Sequence, residues 1–180
     1  QGVLNSPALV TVAKETSQVA DTVVAENIQK MWARRYAPNS TNYIWLVHQD
    51  VEEQLDNMSF KITNVAGTEN VGGWPVYMPP GGLSQSSYGT LKGRPVISTD
   101  ACNTVGDLGD ILLVDLTQYL TITKTSGIRQ DVSIHLWFDY DTLAYKFVFR
   151  LNGAGWWGSA ISPRSGSTTR SCFVALAERA

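Results

Sequence analysis

Charge is scarce in this sequence. Lys, Arg, Asp and Glu make up 17% of its 180 residues, where soluble domains average about a quarter. A surface so poor in charge is not all meant for bulk water, which points to partner subunits. The net charge of -2 supplies no global basic field to recruit nucleic acid or an acidic membrane. Cys102 and Cys172 lie far apart and match no metal spacing, so both are expected free and buried. His48 and His135 have no companion at ligand spacing. No run of 18 apolar residues exists, which excludes an obvious membrane helix, and no signal peptide is visible. The chain begins at Gln1 rather than Met, as expected of a processed protein or a piece of a longer one.

What is present is apolar and aromatic. Hydrophobic residues reach 43%, with six Trp and seven Tyr, enough to build a real core. Ala8 to Val12 reads as a short β-like segment that pairs or docks. Residues 17–36 read as one long helix. Ala20, Val24, Ile28 and Met31 form its apolar stripe, widened by Val19 and Val23. Ser17 caps its start and Asp21 lies in its first turn. Glu26 and Lys30 make an i,i+4 pair, Lys30, Arg34 and Arg35 gather at the far end, and Pro38 and Asn39 stop it. Its length would be about 30 Å.

Tyr43 to Val47 is an uninterrupted apolar strand. Asp50 and Glu53 then resemble a capping box for a short helix through about Met58. From Phe60 to Ser87 the glycines and prolines, Gly67, Gly72, Gly73, Pro75, Pro79, Pro80, Gly81 and Gly82, predict a long loop with apolar islands at Trp74–Tyr77 and Leu83. Arg94 to Ser98 and Ile111 to Val114 read as core strands joined by a glycine turn through Gly106 and Gly109. That turn is expected to shape a surface for other copies.

Tyr119 to Thr123 alternates apolar and polar residues. Val132 to Phe138 predicts a strand with one buried face. Tyr145, Phe147, Phe149 and Leu151 predict another. Asn152-Gly153 turns the chain, Gly155 to Thr169 forms an irregular arm, and Cys172 to Ala177 closes as a strand. The class is α+β, rich in sheet.

Candidate chemistry is thin. Asp107, Asp110 and Asp115, then Asp131, Asp139 and Asp141, could serve acid–base work or a hard cation. Their glycine-rich turn settings favour Asp satisfying nearby backbone donors instead. Ser86, Ser87 and Ser171 lack a nucleophile-elbow context. No phosphate-cradling glycine pattern occurs. Arg34 and Arg35 read as a helix-end charge pair. Trp156 and Trp157 could stack sugars or bases, but adjacent tryptophans more often pack against a neighbour. The sequence therefore offers no catalytic, cofactor-binding or metal-ligating residue.

Several short motifs in order carry a resemblance. They are Gly2-Val3-Leu4-Asn5, the helix followed by Tyr43-Ile44-Trp45-Leu46-Val47-His48, and Leu91-Lys92-Gly93-Arg94-Pro95-Val96. The run from Gly106 to Tyr119 follows, then Phe147 to Arg150 with Asn152-Gly153, and last Ser171 to Ala177, where Cys172 stands in place of a common Pro. Together they make the chain similar to the C-terminal portion of a tailed-bacteriophage major capsid protein of the HK97-like fold. That resemblance implies two lobes. A peripheral one spans 1–48 and 119–180, with a spine helix and long strands. An axial one spans 49–118, with a mixed sheet and flanking helices. It implies that the family's N-terminal arm and extended loop precede Gln1. No isopeptide chemistry carries over, because the cross-linking Lys belongs to that loop.

The resemblance further implies a structural, non-enzymatic subunit of an icosahedral virion head, assembled in the host bacterial cytoplasm. Copies would meet as pentamers and hexamers, with portal, protease or scaffold proteins as other partners. The shell would enclose double-stranded DNA without sequence-specific contacts or salt-dependent affinity, and no membrane or cofactor is implied. Alternatives are an encapsulin-like compartment shell, a carbohydrate-binding module stacking sugars on Trp74, Trp156 and Trp157, and a metal hydrolase using Asp107 and Asp110.

Overall fold

The computed structural model describes residues 1–37, 40–63, 70–81, 87–124 and 127–179. Among these, one seven-stranded mixed sheet organises the chain. In chain order its strands are β1 (Val10–Val12), β2 (Tyr43–Val47), then, after the β3–β4 hairpin (Ser59–Thr63 and Asn70–Pro75), β5 (Tyr77–Met78), β6 (Thr90–Leu91), β7 (Arg94–Ser98) and β8 (Ile111–Asp115). Four ribbon strands follow: β9 (Tyr119–Thr123), β10 (Arg129–Ser133), β11 (Ala144–Val148) and β12 (Leu151–Gly155). The last strand, β13 (Phe173–Leu176), returns to the sheet. Two helices, α1 (Ala25–Ala33) and α2 (Val51–Asp56), complete the fold.

The sheet order is β1-β13-β8-β2-β7-β6-β5. β1 runs parallel to β13, and β2 parallel to β7. β8 runs antiparallel to both of its neighbours, with Trp45 opposite Leu113 on one side and Val174 opposite Leu113 on the other. The two glycine-linked strands are thus not adjacent: β2 lies between β7 and β8. The sheet takes β1, β2 and β13 from residues 1–48 and 119–180, and β5 to β8 from 49–118.

All five residues of β8 are buried. The two-residue pleat sends Ile111 and Leu113 to one side and Leu112 and Val114 to the other. The first side meets Tyr43, Trp45, Val174 and Leu176, and is covered by Ile28 and Met31 of α1 and Val51 and Leu55 of α2. The second meets Phe173, Ala175 and Cys172, covered by Val3, Leu4, Leu9 and Leu108. Trp45 anchors the first layer. It is fully buried, donates its indole N–H to the Leu91 carbonyl at 2.9 Å, and stacks on Trp32 at 6.2 Å. Arg35 closes that stack, its guanidinium 3.9 Å from the Trp32 ring centre.

Helix α1 is shorter than its apolar periodicity predicts. It covers nine residues, about 14 Å, rather than 17–36. Ser17 and Asp21 adopt left-handed backbone (φ 62° and 55°), which ends any helical path there. Thr22, Val23 and Val24 are β-branched and weak helix formers. Asn27 then accepts the Val24 N–H at 3.1 Å and exchanges hydrogen bonds with Gln18. The start of α1 is therefore set by Asn27, not by Ser17. Val19 is 71% exposed, outside the apolar stripe. Lys30 pairs with Glu15 at 2.7 Å instead of with Glu26. Asp50 likewise makes no capping bond to α2. The expected helix stop, Pro38 and Asn39, lies outside the described residues, as do Gly67, Gly82, Leu83 and Ser86.

Three β expectations also change. The long loop contains the β3–β4 hairpin. The strand expected over Val132 to Phe138 ends at Ser133. Asn152-Gly153 sits inside β12, where Gly153 pairs with Thr121, rather than turning the chain. The apolar face expected to be buried is open: Tyr145, Phe147, Phe149 and Leu151 are all exposed, because no second layer among the described residues covers it.

This division predicts two classes of substitution. Leu113→Ala in the sheet should lower unfolding free energy by about 2–5 kcal/mol. Phe147→Ala on the open ribbon should change it by less than about 0.5 kcal/mol. Urea unfolding of the two variants measures both.

Candidate functional site

The acidic turn that invited a metal or acid–base reading is a structural clamp. Asp107 accepts the Thr104 hydroxyl at 2.8 Å. Asp110 is fully buried, accepts the Gly106 N–H at 3.1 Å, and forms an ion pair with the equally buried Arg179. Arg179 also bonds through its backbone: its N–H donates to Gly106 at 2.7 Å, and its carbonyl accepts from Asp21 at 3.1 Å. One residue thereby ties the C-terminal segment, the glycine turn and the 15–24 loop together. Gly106 and Gly109 both sit at φ +96°, and a Cβ at either would strike Asp21 or Leu4 of the same chain. The inner side of this turn packs on its own chain rather than opening to other copies.

Sequence reading missed Arg179. Its signal, a cation three residues after a fully apolar strand, is too common to single out. The other candidates also have local roles. Asp115 accepts from the Thr117 N–H and hydroxyl at 3.0 and 2.6 Å. Arg34 reaches the Thr169 carbonyl at 2.6 Å. His48 is half-buried with its ring 3.4 Å from Asp50, and His135 is exposed.

Trp157 packs edge-on against Tyr36 at 4.8 Å and donates to Gln118 at 3.1 Å, so it is no free stacking platform. Trp74 and Trp156 are exposed on separate elements, β4 and the segment after β12. Among the described residues, no group of three or more His, Cys, Asp or Glu is placed to hold a metal. An open groove of about 920 Å³ lies between the 15–24 loop and α2. No described helix is long and apolar enough to cross a membrane.

Both cysteines are free and buried. Burial pushes the Cys102 thiol up. It pushes Cys172 from 9.0 up to about 11, against a smaller lowering by the Ser171 hydrogen bond. Burial raises Tyr43 as well.

The feature without a local role is the pair of ribbons. β9 pairs with β12, and β10 with β11. Among the described residues, fifteen of the twenty-two exposed large apolar side chains fall between Leu120 and Trp156. Phe138 and Tyr140, at the tip between β10 and β11, are 75% and 76% exposed. A two-stranded ribbon is marginal in water by itself, and one with this load is built for contact.

The sequence profile of the phage capsid family matches residues 1–161. The chain belongs to the phage capsid family. Its fold is the HK97-like capsid fold, as likeness to a solved chain indicates. That chain, from the capsid of an empty GTA particle computed with C5 symmetry, aligns at TM-score 0.58 and 11% identity, over 99% of this chain. The present chain spans 56% of that chain's length. No curated protein matches. The phage capsid family is structural rather than enzymatic.

Two outcomes follow for this capsid-family chain. Arg179→Ala leaves Asp110 buried and unpaired and should cost about 3–5 kcal/mol. Asp110→Leu with Arg179→Met should recover most of that loss, read by a double-variant unfolding cycle. Cys172 and Tyr43 have raised folded pKa values, so the stability they contribute is whole below their unfolded values and falls as pH rises through the folded ones. Stability should decline from about pH 9 upward, and Cys172→Ala should flatten part of that decline in chemical unfolding at pH 8 to 11.

Proposed function

We propose that this chain is a structural subunit that assembles with its own copies into the icosahedral head of a tailed double-stranded DNA bacteriophage or prophage. Membership of the phage capsid family supports a shell role. The observation that carries self-assembly is the open apolar ribbon surface. Its seven exposed aromatic residues, Trp137, Phe138, Tyr140, Tyr145, Phe147, Phe149 and Trp156, amount to on the order of 800 Å² at usual aromatic areas. A standard interface takes about 800 Å² per partner. The low charge share fits the same reading.

Within that reading the peripheral lobe spans 1–48 and 119–180 and the axial lobe 49–118, with the seven-stranded sheet taking strands from both. Other copies act as partners in pentamers and hexamers, with portal, protease or scaffold proteins as further head components and packaged DNA inside. The virion is the final location, and the host bacterial cytoplasm the place of assembly.

The test is association. Light scattering and electron microscopy of the purified chain should show concentration-dependent large species or shells. Phe138→Asp with Phe147→Asp should shift the mass to monomer and leave the unfolding midpoint of the sheet in place. A wild-type chain that stays monomeric at about 100 μM would count against the proposal, since standard interfaces hold at or below micromolar.

A further inference from the structure

Charge is segregated along this chain although its total is near zero. Residues 124–170 carry six cations and three carboxylates, a net +3, while the remainder carries eight and thirteen, a net -5. Four of those six cations, Lys124, Arg129, Lys146 and Arg150, lie in the β10–β11 ribbon or at its end. Residues directly opposite in an antiparallel ribbon share a face. Arg129 opposite Val148 and Asp131 opposite Lys146 therefore lie on one face, while Val132 opposite Tyr145 and Gln130 opposite Phe147 lie on the other. The Lys124 N–H donates to the Arg150 carbonyl at 3.2 Å, which brings both residues to the end of the first face. Lys124, Arg129, Lys146 and Arg150 then line a single concave site of about 120 Å³, with Asp131 and Gly127.

All four cations are exposed. Asp131 engages Arg129 at 3.0 Å. Among the described residues, no ion pair engages Lys124, Lys146 or Arg150. Like charges crowded into one concavity repel, and an anion with several charges relieves that repulsion. Arginine adds a planar fork that fits phosphate oxygens, and lysine a mobile point charge.

We infer that this face is a phosphate-binding site that takes the phosphodiester backbone of double-stranded DNA without reading its sequence. DNA as the source rests on the shell reading above; the anion chemistry rests on the four cations alone. Protein partners are the poorer fit. Interface centres are apolar and depleted in Lys, whereas this face carries Val148 as its one large apolar residue. A phosphate backbone needs no apolar centre, since counterion release drives its binding. The ribbon is then two-sided, with the aromatic face toward other copies and the basic face toward packaged DNA. Near-neutral net charge conceals this, because the balancing carboxylates sit elsewhere, among them Asp50, Glu52, Glu53 and Asp56 around α2.

Fluorescence anisotropy of a labelled, mixed-sequence duplex of about 30 base pairs, titrated with the 180-residue chain at 50 to 200 mM salt, tests the site. Three cations free of Asp131 give an expected log–log salt slope of about -2.7, or about 40-fold weaker binding at the higher salt. Lys146→Gln with Arg150→Gln should reduce the slope's magnitude by about 1.8. Lys146→Arg with Arg150→Lys should retain it, and circular dichroism should show all three proteins equally folded. An unchanged slope in the neutralised variant overturns the site. Inorganic phosphate bound through the same residues with no duplex binding overturns the DNA assignment. Polyglutamate bound as tightly as the duplex overturns phosphate in favour of an acidic protein segment. Shell formation is scored separately by electron microscopy. A neutralised variant that forms shells with its slope reduced as expected supports the site. A wild-type chain that binds the duplex and never forms shells overturns the shell reading alone.

Discussion

A strand buried on both faces and paired on both edges needs cover from four directions, and β8 imposes that demand here. Its edges are met by β13 and β2. Its faces are met by α1 and α2 on one side and by the N-terminal segment and Cys172 neighbourhood on the other. None of those groups is near β8 in sequence except the turn that precedes it. Satisfying Ile111 to Asp115 therefore draws in residues from both ends of the chain, and the fold is largely the result.

The Arg179–Asp110 pair follows from that demand. The residue just before β8 is Asp110, and the strand beside β8 ends three residues before Arg179. Antiparallel pairing brings these two together beneath the 15–24 loop, away from water. A buried ion pair is weak evidence for net stability, but removing either partner strands a charge. The clamp thus makes the register of β13 against β8 costly to alter. It also explains why an acidic glycine turn that could look catalytic has no free carboxylate at its core.

The ribbons follow the opposite logic. They hold to the sheet through few contacts, and their apolar side chains meet no second layer. Their alternation predicts a buried face, and that face is open among the described residues. A capsid-family subunit is completed by its neighbours, so burial that periodicity assigns to a core is supplied by assembly in the shell reading. The basic face opposite obeys the same rule in the inferred DNA site, where an anion would complete the three cations that no ion pair engages among the described residues.

Much was legible in the residues alone. The strands over Tyr43–Val47, Ile111–Val114 and Cys172–Ala177 follow from uninterrupted apolar runs, that over Arg94–Ser98 from the short run Pro95-Val96-Ile97, and short motifs in order point to the capsid family and its fold. The free, buried state of both cysteines was legible as well. Other features were decided by the tertiary structure. It inserted β2 between β7 and β8, cut α1 to nine residues, paired Arg179 with Asp110, and set four cations around one concavity. The reason is range. Side-chain periodicity is a local property that fixes which residues want burial. Strand order, ion pairing and exposure depend on contacts between residues as far apart as Asp21 and Arg179, which no local pattern encodes.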